Sequence, residues 1–194
     1  MGKKLSEMSL EELWALFPVY LTEHQDCWEE WYAEEADALR ELLPGGQELR
    51  IHHIGSTAIP GIWAKPVVDI LLEVPGPDAL RAAGKRLEAG GWTRMSDTGE
   101  RISLNKGYTE AGPEERIFHL HLRLAGDHDE IFFRDYLRAH PEIAKKYENL
   151  KLFLWRTFAY DRDRYTAGKT EFVTRYTKLA KEPRKTAAEG YDAR

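Results

Sequence analysis

The sequence predicts an α+β fold: a mixed β-sheet flanked by helices, with a helical C-terminal third. Three observations predict it. Two short runs containing β-branched residues, 48–54 and 67–74, bracket a twelve-residue loop that holds glycine and proline. Alternation over residues 117–124 puts Phe118, Leu120, Leu122 and Leu124 on one face of a strand, with His119, His121 and Arg123 on the other. From Asp129 onward the apolar spacing is helical.

The elements follow in order. Ser9 with Glu12 three residues on has the spacing of a capping box, in which hydroxyl and carboxylate each satisfy an end N–H, and Thr22 with Gln25 repeats it. Two N-terminal helices are therefore expected, the second over 23–43 and stopped by Pro44-Gly45-Gly46. Trp28, Trp31 and Tyr32 recur on it at helical intervals, a stripe that reads as core packing. After Pro75-Gly76-Pro77, an alanine- and leucine-rich stretch over 78–89 reads as a helix ended by Gly90-Gly91, and a turn delivers Trp92. A strand is expected near 101–106 before the alternating one at 117–124. Helices are expected over 130–139, 141–160 and 165–181, with Pro141 suited to a first helical turn.

The 194 residues, 42% hydrophobic and 31% charged, suit one domain over 1–182 with a flexible tail at 183–194. A net charge of −5 offers no basic face for a nucleic acid duplex, while a small charged ligand remains compatible. The lone cysteine, Cys27, excludes an internal disulfide and a Cys-x-x-Cys pair, has no activating base beside it, and fits a reducing, cytoplasmic compartment. No leader-like apolar run follows Lys3 and Lys4, and no stretch approaches the ~18 apolar residues of a membrane span, so no membrane association is expected.

The loop carries the candidate chemistry. Gly55 lets backbone approach a ligand with no Cβ in the way, and Ser56 and Thr57 set hydroxyls beside backbone amides. Gly61 permits a second tight turn and Lys65 adds a mobile positive charge. Such a set suits phosphate oxygens, with an ordinary strand connection as the plain alternative. His119 and His121 could ligate a transition metal, line a polar cleft for an anion, or serve structure alone. Arg116, Arg134, Arg138, Lys151 and Lys169 are candidates to close a positive wall around a phosphate or carboxylate. The loop lacks the lysine and spacing of a Walker motif.

The run His-Ile-Gly-Ser-Thr-Ala-Ile-Pro-Gly-Ile from His53 to Ile62, then Ala64-Lys65-Pro66 and a strand opening with Asp69, resembles the signature of the GrpB family. That family is a branch of the nucleotidyltransferase-like superfamily. The similarity continues at Phe118-His119-Leu120-His121, at 133–138, and at Tyr147, Lys151, Tyr165 and Lys169-Thr170. It implies a nucleotidyltransferase-like sheet and transfer of a nucleotidyl group from a nucleoside triphosphate to a small, unknown acceptor. Gly55 and Ser56 would cradle phosphates, Asp69 would hold Mg2+, and Lys65 would stabilise the charged leaving group. His121 joins Asp69 and Lys65 as a catalytic candidate. His53, Thr57, Arg134, Lys151 and Lys169 become ligand-binding candidates.

In the superfamily pattern a second carboxylate stands two residues after the first. This sequence has Leu71 there, and Glu73, the next residue on that face, lies about 13 Å from Asp69 at ~3.3 Å per residue. Two further readings follow. One is a non-catalytic module binding a nucleotide or phosphorylated ligand, or a partner of a coenzyme A-related enzyme, since related domains are fused to one in some bacteria. The other is a hydrolase or lyase using a transition metal on Asp69, His119 and His121.

Overall fold

The computed structural model describes residues 3–45 and 48–182; Gly46 and the tail at 183–194 lie outside the described residues. Five strands form one sheet in the order β1-β2-β5-β4-β3, with β1 Arg50–Ile54, β2 Val68–Val74, β3 Thr93–Asp97, β4 Arg101–Thr109 and β5 Gly112–Leu124. β2 and β5 run parallel, and the other neighbours are antiparallel, so the sheet is mixed. The helices are α1 Leu10–Leu16, α2 Cys27–Leu42, α3 Pro77–Ala89, α4 Asp129–Ala139, α5 Pro141–Phe158, α6 Arg162–Ala167 and α7 Thr170–Lys181. No helix among the described residues is long and apolar enough to cross a membrane.

The even-numbered residues of β2 and β5 build the main core. Val68, Ile70, Leu72, Phe118, Leu120 and Leu122 pack against Trp28 and Leu39 of α2 and Leu80 and Leu87 of α3. Each such side chain contributes about 1.5–3 kcal/mol on burial. Trp31 and Tyr32 pack at the rim of this core, so the aromatic stripe of α2 is core packing. The odd-numbered residues, Asp69, Leu71 and Glu73 with His119, His121 and Arg123, take the opposite face, where registers pair Asp69 with His119 and Leu71 with His121. A second cluster joins Phe133 and Leu137 of α4, Tyr147 of α5 and Tyr176 of α7 to Ile59 and Ile62 of the loop between β1 and β2. The C-terminal helices thus grip that loop beside the polar face of the sheet.

Four expectations are corrected. The Ser9 box forms, with the Glu12 N–H donating to Ser9 Oγ at 3.2 Å and the Ser9 N–H to Glu12 at 2.6 Å, but Thr22 caps no helix. Its N–H and C=O pair instead with Ala64, both at 2.9 Å, and α2 begins at Cys27. Two backbone bonds outweigh one side-chain cap. β3 was not expected, because an edge strand with four exposed residues and a bulge between Arg94 and Ser96 carries no alternation. β4 and β5 extend into one long hairpin through a bulge at Gly107, where a Cβ would sit 2.3 Å from the Arg116 carbonyl oxygen. The last expected helix is two: the Gly168 N–H bonds Arg164 O at 2.9 Å and closes α6 before α7 starts.

Candidate active site

β1 ends opposite Asp69, and the chain turns there at Gly55 with φ 71° and ψ −168°. A Cβ on Gly55 would lie 2.2 Å from Asp69 Oδ2. Glycine is therefore needed for the loop to reach the carboxylate itself. A short 3-10 turn follows at Ser56–Ala58, with Ser56 half-buried and Thr57 buried.

The rest of the loop is pinned from every side. The buried His53 ring stacks on Tyr32 at 4.8 Å and 13°, with Nδ1 3.0 Å from Glu29 and Nε2 3.0 Å from the Thr57 hydroxyl. Thr57 Oγ1 also stands 3.1 Å from the Val67 carbonyl, across the loop. Burial pushes the His53 pKa down against the pull of Glu29, favouring the neutral ring. A carboxylate only accepts, so Nδ1 carries the proton towards Glu29. Arg134 donates to His53 O and Arg138 to Ala58 O, both at 2.8 Å. At the far end the Trp63 N–H donates to buried Glu148 at 3.1 Å, while Lys151 donates to Trp63 O.

Asp69 sits among charge-bearing neighbours. Its Oδ1 lies 3.3 Å from His119 Nδ1 and 3.5 Å from His121 Nε2. Arg162 donates to the Tyr108 hydroxyl at 3.3 Å, and that hydroxyl lies 2.9 Å from His119 Nε2. Tyr108 therefore donates to Nε2, leaving the proton of His119 on Nδ1, the nitrogen beside Asp69. Arg123 Nη2 lies 3.2 Å from His121 Nδ1 and can only donate, so His121 also turns an N–H towards Asp69. Burial alone would raise the Asp69 pKa, but the two imidazoles outweigh it and hold the carboxyl well below the usual carboxylate range. Burial lowers the His119 pKa despite Asp69. Lys65 is pushed down to about 7 by burial and by Arg162 and Lys169, against the attraction of Asp69. Lys169 is lowered as well, chiefly by burial.

In this arrangement His119 and His121 serve Asp69 and offer no free nitrogen to a metal. A ligating imidazole needs a free lone pair, and here one nitrogen of each ring faces Asp69 while the other is taken by Tyr108 or Arg123. Among the described residues no three His, Cys, Asp or Glu side chains are placed to hold a metal ion. One ionised carboxylate does fit a magnesium that arrives on a triphosphate, because Mg2+ commonly takes one or two carboxylates and completes its shell with phosphate and water. Asp69 would hold that ion; a resident pair of ions does not fit.

A cleft of about 620 Å3 opens over this face. Gly55, Ser56, Asp69, His121 and Lys169 line it, and Lys65 is close enough to Asp69 for each charge to be felt by the other. His119 does not line it and stands against Tyr108. Four candidates stand elsewhere: His53 and Thr57 are 3% exposed, Lys151 is 1% exposed, and Arg134 is spent on His53 O and Asp135. They hold the loop and do not face a ligand. Arg138 likewise holds Ala58 O, and Arg116 pairs with Glu34 at the surface.

Residues given no site role by the sequence also line the cleft. Tyr147 is buried near Ser56, and burial pushes its pKa up to about 12. Val173, Thr174, Thr177, Lys178 and Lys181 of α7 form the far wall, facing Asp129 and Glu130 of α4. Their spacing along one helix face is a signal that the sequence did contain.

The sequence profile described as GrpB protein matches residues 18–179. The chain is 34% identical over 176 residues to the UPF0157 protein YqkA of Bacillus subtilis, covering 88% of this chain and 50% of that protein. It is 40% identical over 155 residues to the UPF0157 protein PA4798 of Pseudomonas aeruginosa, covering 77% and 62%. The chain thus spans half to three-fifths of the length of these two relatives. The crystal structure of conserved protein GrpB from Enterococcus faecalis is similar at a TM-score of 0.70 and 32% identity, covering 83% of this chain and 96% of that one.

Proposed function

Because the chain belongs to the GrpB family, we propose that its cleft binds a nucleoside triphosphate as the magnesium complex and passes the nucleotidyl group to a small acceptor. The observation that carries this reading is the contact of the Gly55 turn with an ionised Asp69 at the floor of a cleft of about 620 Å3. A nucleotide suits that volume, since small-ligand pockets run to about 300–1,000 Å3. In this reading the Gly55-Ser56 turn receives phosphate oxygens, and His119 and His121 fix Asp69. Magnesium, when bound, neutralises charge on the phosphates. Lys169 faces the departing pyrophosphate, and Lys65 stands near Asp69 outside the lining of the cleft. A nearby polyanion favours the charged form of an amine, so both take up protons as the triphosphate arrives. ATP labelled at its α-phosphate, incubated with a pool of small metabolites, tests the transfer. Label should move to an acceptor with the wild type and stay in ATP with Asp69→Asn.

Leu71 favours a second reading. It is fully buried in the position where the superfamily pattern places a carboxylate, so the cleft would bind nucleotide without turning it over. Turnover that vanished in Asp69→Ala while nucleotide affinity persisted would rule this out.

A further inference from the structure

Arg162 and Lys65 do not line the main cleft, and neither pairs with a carboxylate among the described residues. The guanidinium of Arg162 stands over the Tyr108 ring at 5.7 Å and donates to its hydroxyl at 3.3 Å. Both side chains line a small cavity of about 120 Å3 with Tyr108, Phe17 and Tyr20. That cavity shares Phe17, Tyr108 and Arg162 with a larger one of about 570 Å3, walled by Met95 of β3 and roofed by Leu5 and Leu13. The roof residues precede the segment that the family profile covers, 18–179, and α1 buries none of its own residues. A loosely seated helix therefore closes a largely apolar chamber whose inner end carries Arg162, with Lys65 beyond it in the small cavity and exposed Glu114 on its wall. Other cations near it are spoken for: Arg94 pairs with Glu88 and Asp97, and Lys106 with Glu35.

We propose that this chamber is the acceptor subsite, and that the acceptor is a small molecule with an apolar body and one carboxylate or phosphate. The apolar body would lie between Leu13 and Met95, and the anion would meet Arg162 and Lys65. Tyr108 connects the two sites, since its hydroxyl touches both Arg162 and His119, and His119 touches Asp69. An anion that draws Arg162 away from Tyr108 would change the bonding of His119, so occupancy is felt at the carboxylate of the main cleft. The role as acceptor site rests on the transferase reading; the binding of an amphipathic anion does not.

Titration calorimetry on the full chain without nucleotide tests the chamber, with octanoate as probe and octan-1-ol and acetate as controls. Octanoate should bind at least about tenfold more tightly than either control, because apolar body and charge are both read. Leu13→Asp and Arg162→Gln should each weaken octanoate about tenfold or more, while Leu13→Asp leaves magnesium-ATP affinity unchanged. Leu13 is half-exposed, so that variant is expected to fold, and a circular dichroism melt checks it. Equal binding of octanoate and octan-1-ol, or octanoate binding indifferent to both substitutions, overturns the proposal. Loss of magnesium-ATP binding by the wild type would strike the transferase reading and leave the chamber result standing.

Discussion

Gly55 and Asp69 occupy a space that admits only one Cβ. Gly55→Ala adds a methyl 2.2 Å from the carboxylate and forces a side chain into φ 71°. It should cost on the order of 1–3 kcal/mol of stability and displace Asp69, with chemical denaturation and magnesium-ATP titration as the two readouts. Lys151 makes a different prediction. Burial pushes its pKa down to about 7, with Lys169 adding to the fall against the pull of Glu148, whereas in the unfolded chain it returns to about 10.4. Between those values the unfolded state binds more protons, so stability rises with pH from about 7 to about 10. The melting temperature should climb over that window, less steeply in Lys151→Met. That variant should keep its magnesium-ATP affinity, in contrast to Lys169→Met, because Lys151 meets Trp63 O and no ligand.

At the scale of elements, the loop between β1 and β2 is rigid because structure has taken up the side chains that sequence reasoning assigned to ligand. Thr57→Val removes the hydroxyl shared by His53 and Val67 and should cost ~1–3 kcal/mol, the range for a buried group left unsatisfied. A double-mutant cycle with His53→Ala should be non-additive, since both act through one bonded chain. Much of this architecture was legible beforehand. The even-odd split of β5 separated core from polar face, and loop chemistry with family resemblance pointed to Gly55, Ser56, Asp69 and His121, which line the cleft. The rest depended on partners far along the chain. His53 and Lys151 look like ligand residues until Glu29 and Trp63 are seen beside them. Thr22 reads as a cap until Ala64 pairs with it. β3 shows no period because none of its residues is buried, and the far wall on α7 was missed although its helical spacing was present.

At the scale of the whole molecule, the sheet supplies the acid and the helices supply the amines. Asp69 and His121 stand on β2 and β5; Lys169, Lys178 and Lys181 face them from the start and the outer turns of α7. Lys181 pairs with Asp129, tying α7 to α4 at the rim. Lys181→Met should free that rim and raise hydrogen exchange in the last turn of α7 without altering the fold, a change readable by mass spectrometry. The chamber beneath α1 is linked to Asp69 through Arg162, Tyr108 and His119. The central claim is that Asp69 and the Gly55 turn form a magnesium-triphosphate site. Calorimetric titration of magnesium-ATP at neutral pH tests it most directly, in two buffers of different ionisation enthalpy. The site predicts one nucleotide per chain, an affinity at least about tenfold weaker in Asp69→Asn, equivalent to ~1.4 kcal/mol, and proton uptake as Lys65 regains its charge. No heat of binding, or equal affinity in the wild type and Asp69→Asn, would contradict it.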